Sequence, residues 1–223
     1  MRLLSIPRFT TTLLLLATTV WAQGPPIPDL GLVGNRFPPL KWEEMTPEQK
    51  AMVEHLLEGP RTSLGGTFNV QLRSPEIGDL SQEFGGKLRF LDTMPTRLRE
   101  LAIIITARYW TTQFEWLVHR RAAEDAGLAP EIIEAIRQGR RPQDLGVTMA
   151  DDEATVYQFA TELLETKQVS DPTFAAAKDL LGERGVVELT TLIGYYQLAS
   201  MLLNVDEYPL PEGTEPELAP LGK

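Results

Sequence analysis

The stretch from Pro95 to Trp110 distributes Leu98, Leu101, Ile103, Ile104 and Ile105 around most of a helical circumference. A helix that is apolar on nearly every side cannot lie on the surface of a soluble protein, so it must be surrounded by other elements. The segment therefore predicts a central core helix, and the rest of the chain has to supply its cover. With 223 residues, 43% of them apolar, there is enough chain for one globular domain of this kind.

The covering elements read as helices too. Thr46 before Pro47, Glu48 and Gln49 combines an N-cap, a proline at the first helical position and capping-box chemistry, opening a helix that ends near Gly59. Ser74-Pro75 repeats the device and launches a segment to about Phe90, in which Gly85-Gly86 weakens the helix or admits a close neighbour. Further helices are predicted from about Thr112 to Ala126 with a stop at Gly127, after Pro130, and from Asp151 to Lys167. Ser170-Asp171-Pro172 caps another, and the last runs from Glu183 to Asn204. The alternating piece Phe68 to Leu72 is too short to build a sheet, so the class is all-α, a helical bundle.

The two ends of the chain differ from its middle. Residues 1–22, with Arg2 and Arg8, the run Leu13 to Leu16 and the closing Val20-Trp21-Ala22, have the pattern of a secretory signal peptide cut after Ala22. Five threonines interrupt the run from Phe9 to Ala22, which falls short of the roughly 20 apolar residues that span a bilayer. Residues 23–42 are proline- and glycine-rich and read as an extended arm, 43–211 as the helical domain, and 212–223 as an acidic proline-rich tail. An exported location, periplasmic or secreted, follows as an expectation.

Removing Arg2 and Arg8 leaves 19 basic against 31 acidic residues, a formal charge of −12. Such a chain repels phosphate backbones and anionic membrane surfaces, which argues against nucleic-acid and membrane partners. The chain has no cysteine. Thiolate nucleophiles and cysteine-ligated metals are thereby excluded, and an exported domain of this type has to be held together by packing alone.

Few residues are left to carry chemistry. Glu115 and His119 stand four apart on one helix, so their side chains share a face, which Ala122 and Ala126 continue while Arg120, Arg121 and Glu124 lie opposite. An inward carboxylate beside an imidazole is a candidate acid/base pair, or a pair that fixes helix packing. Leu117, on the charged side, is a candidate subunit contact. On the core helix Arg97, Glu100 and Arg108 fall close enough in rotation to form one polar stripe, either a substrate-holding surface or an internal ion-pair network. His55, beside Glu54 and Glu58, reads as a solvated surface residue.

The run Leu98-Arg99-Glu100-Leu101-Ala102-Ile103, then Phe114-Glu115-Trp116 with His119, then Ala126-Gly127-Leu128, resembles the carboxymuconolactone decarboxylase domain. Gly182-Glu183-Arg184, Val187-Glu188-Leu189, Leu192-Ile193-Gly194-Tyr195-Tyr196 and Leu203-Asn204 are similar to the C-terminal helix of its longer members, so the likeness spans Ser74 to Pro211. The wider superfamily includes alkylhydroperoxidase D-like peroxidases, whose motif is a glutamate, eleven residues, then Cys-x-x-Cys-x-x-x-His. Glu100 and His119 match its glutamate and histidine, while Thr112 and Glu115 stand where the two cysteines would be. A hydroxyl and a carboxylate cannot form a disulfide or reduce a peroxide.

What the resemblance implies is a pocket gathering Glu100, Thr112, Glu115 and His119, with homo-oligomeric assembly. The leading expectation is a cofactor-independent acid/base enzyme, a lyase that decarboxylates or isomerises a small carboxylated or lactone-like molecule. Glu100, Glu115 and His119 would be catalytic; Arg97 or Arg108 would hold the substrate, with Thr112, Trp116, Tyr195 and Tyr196 lining the pocket. The alternatives are a family-level peroxidase activity, a weak metal site formed by His119, Glu115 and Glu100, and a non-catalytic binder of a small organic acid in which Trp110 joins the aromatic lining.

Overall fold

The computed structural model describes residues 30–59, 64–89 and 91–221. The predicted leader, residues 1–22, and the first part of the arm, 23–29, lie outside them. Among the described residues the chain forms eight α-helices and two short 3-10 helices, with no strand.

The helix starts follow local chemistry. In α1 (Pro47–Glu58) the Thr46 hydroxyl accepts from the Gln49 backbone N–H at 3.3 Å and the Gln49 side chain accepts from the Thr46 N–H at 2.9 Å. This reciprocal box satisfies two N–H groups that the helix itself leaves without partners. The piece from Phe68 to Leu72 is not extended: it forms the short helix α2 (Phe68–Gln71), buried along its whole length. A buried segment without a neighbouring strand has to satisfy its N–H and C=O groups internally, which one helical turn does.

After α3 (Pro75–Arg89) comes α4 (Thr96–Tyr109), the predicted core helix. Ten of its fourteen residues are buried, so it is covered on every side. The cover consists of α5 (Gln113–Asp125), α6 (Pro130–Arg137), α7 (Asp151–Thr166) and α8 (Asp171–Asp206). Leu98, Leu101, Ile104, Trp116, Val156, Leu189, Leu192 and Ile193 are packed together in this main core. α1, α2 and the arm enclose a second cluster around Met52, Leu56, Phe68 and Leu72, set against α3.

α8 is two helices in one span. Gly182 has φ 69° and ψ 173°, a region essentially restricted to glycine, and it separates residues 171–181 from 183–206. The second of these arms matches the final helix expected from Glu183. One of its faces packs into the core through Leu189, Ile193, Tyr196 and Leu203. Its other face exposes Val187, Leu198, Met201 and Val205, continued through Gly194.

The described parts of the arm and of the tail are both tied into the molecule. The described part of the arm docks on its own chain rather than reaching outward. The buried Asp206 carboxylate accepts from the Asn35 N–H at 3.1 Å and the Phe37 N–H at 2.8 Å, and Asn69 donates to the Phe37 carbonyl at 2.6 Å. The acidic proline-rich tail packs against the helices. Leu218 belongs to the main core, and Gln113 clamps its backbone with bonds of 2.8 and 3.0 Å.

Candidate acid/base site

α4 and α5 are joined by the turn Trp110 to Thr112, where Thr111 adopts φ 51°. A β-branched residue in the left-handed region is strained by on the order of 1–2 kcal/mol. The turn reverses the chain so that α5 lies along α4. Glu100 and His119, nineteen positions apart, meet across that helix pair.

His119 Nδ1 is 2.6 Å from Glu100 Oε2, and its Nε2 is 3.4 Å from Glu115 Oε1. All three side chains are buried. Burial on its own would push the imidazole toward its neutral form, but hydrogen bonds and charge attraction from Glu100 and Glu115 outweigh it, and its pKa is raised to about 9. At neutral pH the ring is an imidazolium whose two N–H groups each face a carboxylate. The spacing argument for Glu115 and His119 thus describes their geometry correctly, and Glu100 comes to the opposite nitrogen of the same ring.

The Tyr196 ring stands edge-on to the imidazole, with centroids 4.9 Å apart, and Tyr195 stacks edge-on against Tyr196 in turn at 5.5 Å. Burial first, then the charges of Glu115 and Glu100, push the Tyr196 phenol well above its ordinary pKa, while Arg89 pulls the other way. Tyr196 therefore keeps its phenolic proton. Gly85 explains how Tyr195 fits: a Cβ there would come within 2.0 Å of the Tyr195 hydroxyl, so the close neighbour that Gly85-Gly86 admits is a side chain.

The remaining expected residues go elsewhere. Arg97, Glu100 and Arg108 do not act as one stripe: Glu100 turns to α5, while Arg97 and Arg108 lie toward α7 with separate surroundings. Arg97 is held by Glu153 and, at 2.8 Å, by Asp152, both on α7. Arg108 faces a cavity lined by α6 and α7 residues. Trp116 is a core anchor instead of a pocket wall, fully buried with its indole N–H donating to Glu217 of the tail at 2.8 Å. Thr112 is the N-cap of α5, and its buried hydroxyl makes no hydrogen bond to Glu100, Glu115 or any other described residue. Leu117 is covered within its own chain. His55 is half-exposed as expected, but it pairs with Asp79 of α3 at 2.8 Å.

Arg89 is the residue that the sequence reading passed over. It stands exposed at the end of α3, near enough to Tyr196 to favour its phenolate. Nothing in its local sequence singles it out, because α3 and the end of α8 meet only in the fold. Among the described residues no group of three or more histidine and carboxylate side chains is arranged to hold a metal ion. Glu100 and Glu115 approach opposite nitrogens of His119, so the three donors diverge instead of converging on one point.

No protein-family model matches the chain, and neither does any curated protein.

Proposed function

We propose that this is an acid/base enzyme of the carboxymuconolactone decarboxylase-like type, acting by decarboxylation or isomerisation on a small carboxylated or lactone-like molecule. The observation that carries the reading is the Glu100–His119–Glu115 arrangement, buried and bonded at both ring nitrogens. When carbon dioxide leaves, the electron pair of the breaking C–C bond spreads into a neighbouring carbonyl, and a proton must then reach the carbon. His119 gives its proton to the carbon, becomes neutral and takes a proton back from solvent when product leaves; Glu100 holds the ring in place, and Glu115 helps keep its proton affinity high. Tyr196 donates to the developing enolate oxygen. Arg89, with its guanidinium free of any ion pair among the described residues, takes the substrate-holding role that the sequence had assigned to Arg97 or Arg108. The scheme needs no cofactor.

The test is incubation of the purified protein with a panel of small lactones and keto acids, read by mass spectrometry. Loss of carbon dioxide or a shifted double bond, abolished in His119→Gln, is the expected result. Glu115→Gln keeps the shape and removes one anion, so it should lower the proton affinity of His119 and move the pH–rate profile toward acid. A profile that does not move would leave the triad as a packing device between α4 and α5. Thiol peroxidase chemistry is excluded by the cysteine-free chain. A non-catalytic binder is the second reading, favoured by the cavity beneath Arg108; binding of a panel member with no member of the panel converted would decide for it.

We further infer a homo-oligomer. Val187, Gly194 and Met201, with Thr191, Leu198 and Val205, repeat every seven residues along the exposed face of the last helix, a pattern that pairs with its own copy. The span of α8 also contains a stretch long and apolar enough, by length and composition, to cross a membrane. Its opposite face is committed to the core, and a net charge of −10 opposes an anionic bilayer, so a second copy is the better cover. Light scattering should give a multiple of the chain mass, reduced to a single chain in Leu198→Glu; a monomeric wild type would refute the assembly. Export after cleavage at Ala22 belongs to the same proposal and is checked by N-terminal sequencing of the mature chain.

A further inference from the structure

Arg108 is 5% exposed, yet no carboxylate among the described residues pairs with it. Its Nη1 donates to the Thr111 hydroxyl at 3.2 Å, and its Nε is buried without a partner. A buried cation lacking a counter-ion is costly, and the chain pays nothing of the kind at Arg97, which takes two carboxylates. Burial, then the nearby Arg137, lower the Arg108 pKa from its usual value, the direction expected for a guanidinium that lacks an anion.

The unbonded edge is covered by Leu221. A Cβ at Gly139 would lie 3.4 Å from Nη2 and 3.7 Å from Nε but 2.6 Å from Leu221 Cδ2, so this edge is packed against the Gly139 backbone and the Leu221 side chain. There a cavity of about 170 Å³ opens, with Ile105, Ile136 and Leu164 among its apolar walls and Leu221 lying over Gly139. Arg140 and Arg141 stand exposed at the rim, with no ion pair among the described residues, and Glu165 is the one acid in the lining. In a chain of net charge −10, such a local excess of cations calls for an explanation.

The parallel N–H groups of a guanidinium edge match a carboxylate in a bidentate pair. An apolar cavity of about 150 Å³ accommodates a benzene-sized molecule. We propose that this cavity is a second binding site, separate from the triad, for a small monocarboxylate carrying one apolar ring or branched chain. Arg108 holds the carboxylate through its guanidinium edge once the Leu221 side chain moves aside, and Ile105, Ile136 and Leu164 enclose the apolar body. None of Glu100, Glu115 or His119 lines the cavity, so the site stands whether or not the triad is catalytic.

The test is isothermal titration of the full chain with sodium benzoate, benzyl alcohol and inorganic phosphate as probes. Saturable one-to-one binding of benzoate is expected, with benzyl alcohol and phosphate at least tenfold weaker. Arg108→Gln should weaken benzoate at least tenfold, which corresponds to about 1.4 kcal/mol. Thr161→Phe places a ring in the cavity while keeping Arg108 and its bond to Thr111; the Thr161 hydroxyl bonds only within α7, so this variant retains the fold and should also lose benzoate. His119→Gln should bind benzoate as the wild type does. Equal binding of benzyl alcohol or of phosphate, benzoate binding untouched by Thr161→Phe, its loss in His119→Gln, or no saturable heat up to about 10 mM would each overturn the proposal.

Discussion

His119 sits where two large effects oppose each other, and its two carboxylates win. Its pKa near 9 in the folded chain lies above the unfolded value of 6.5, so protonation is tighter in the native state. The stabilisation is fully present below pH 6.5 and is lost as pH rises through 9. A shift of this size corresponds to roughly 3 kcal/mol. Urea midpoints measured across that pH window should therefore fall in the wild type. In His119→Gln the same window should be nearly flat; a wild type that is equally flat would mean that the imidazole is not held protonated. At Tyr195 the constraint is steric: Gly85→Ala would drive a methyl group into the hydroxyl at 2.0 Å, forcing α3 away from α8. A cost of about 1–3 kcal/mol, typical of overpacking, is expected in denaturant melts.

Among the elements, α8 shows how one backbone position divides a helix. Continuity across Gly182 would turn the second arm away from its seat on α4, where Leu189, Leu192 and Ile193 are buried. Gly182→Ala puts a side chain into a conformation that costs roughly 1–3 kcal/mol for other residues. The midpoint of thermal unfolding should drop accordingly, whereas unchanged stability would show that the break tolerates any residue. The start of α1 is the local counterpart, and Thr46→Ala should cost about 0.5–2 kcal/mol by removing one half of the capping box.

At the scale of the whole molecule, the described parts of the arm and tail act as straps. The tail passes over α5 and α6: Glu217 accepts from Trp116, its backbone carbonyl accepts from Arg137 at 3.0 Å, and Leu218 fills the main core. Leu218→Ala should destabilise by about 2–5 kcal/mol, the usual loss for a buried leucine. Truncation after Pro211 should do at least as much and expose Trp116, seen as a red-shifted emission. A truncated chain with native stability and emission would make the tail dispensable.

Much of this architecture was legible in the sequence because it is decided locally. The all-round apolar run of α4 demands burial wherever it goes, Thr46-Pro47 with Gln49 starts a helix using only its own neighbours, and a four-residue spacing puts Glu115 beside His119 on any helix. What remained hidden was decided by which elements meet. Rotation around α4 suggested one stripe for Arg97, Glu100 and Arg108, but α5 claims Glu100 and α7 meets the two arginines at different heights, so the three serve a salt bridge, the imidazole and a cavity. Trp116 and Phe68 to Leu72 carry the same lesson, since a tail residue a hundred positions away claims the indole, and burial turns an alternating pattern into a helical turn. Helix starts and faces depend on contacts within a few residues, so the sequence by itself determined them. Partners across the fold depend on the packing of the whole chain, so only the tertiary structure decided them.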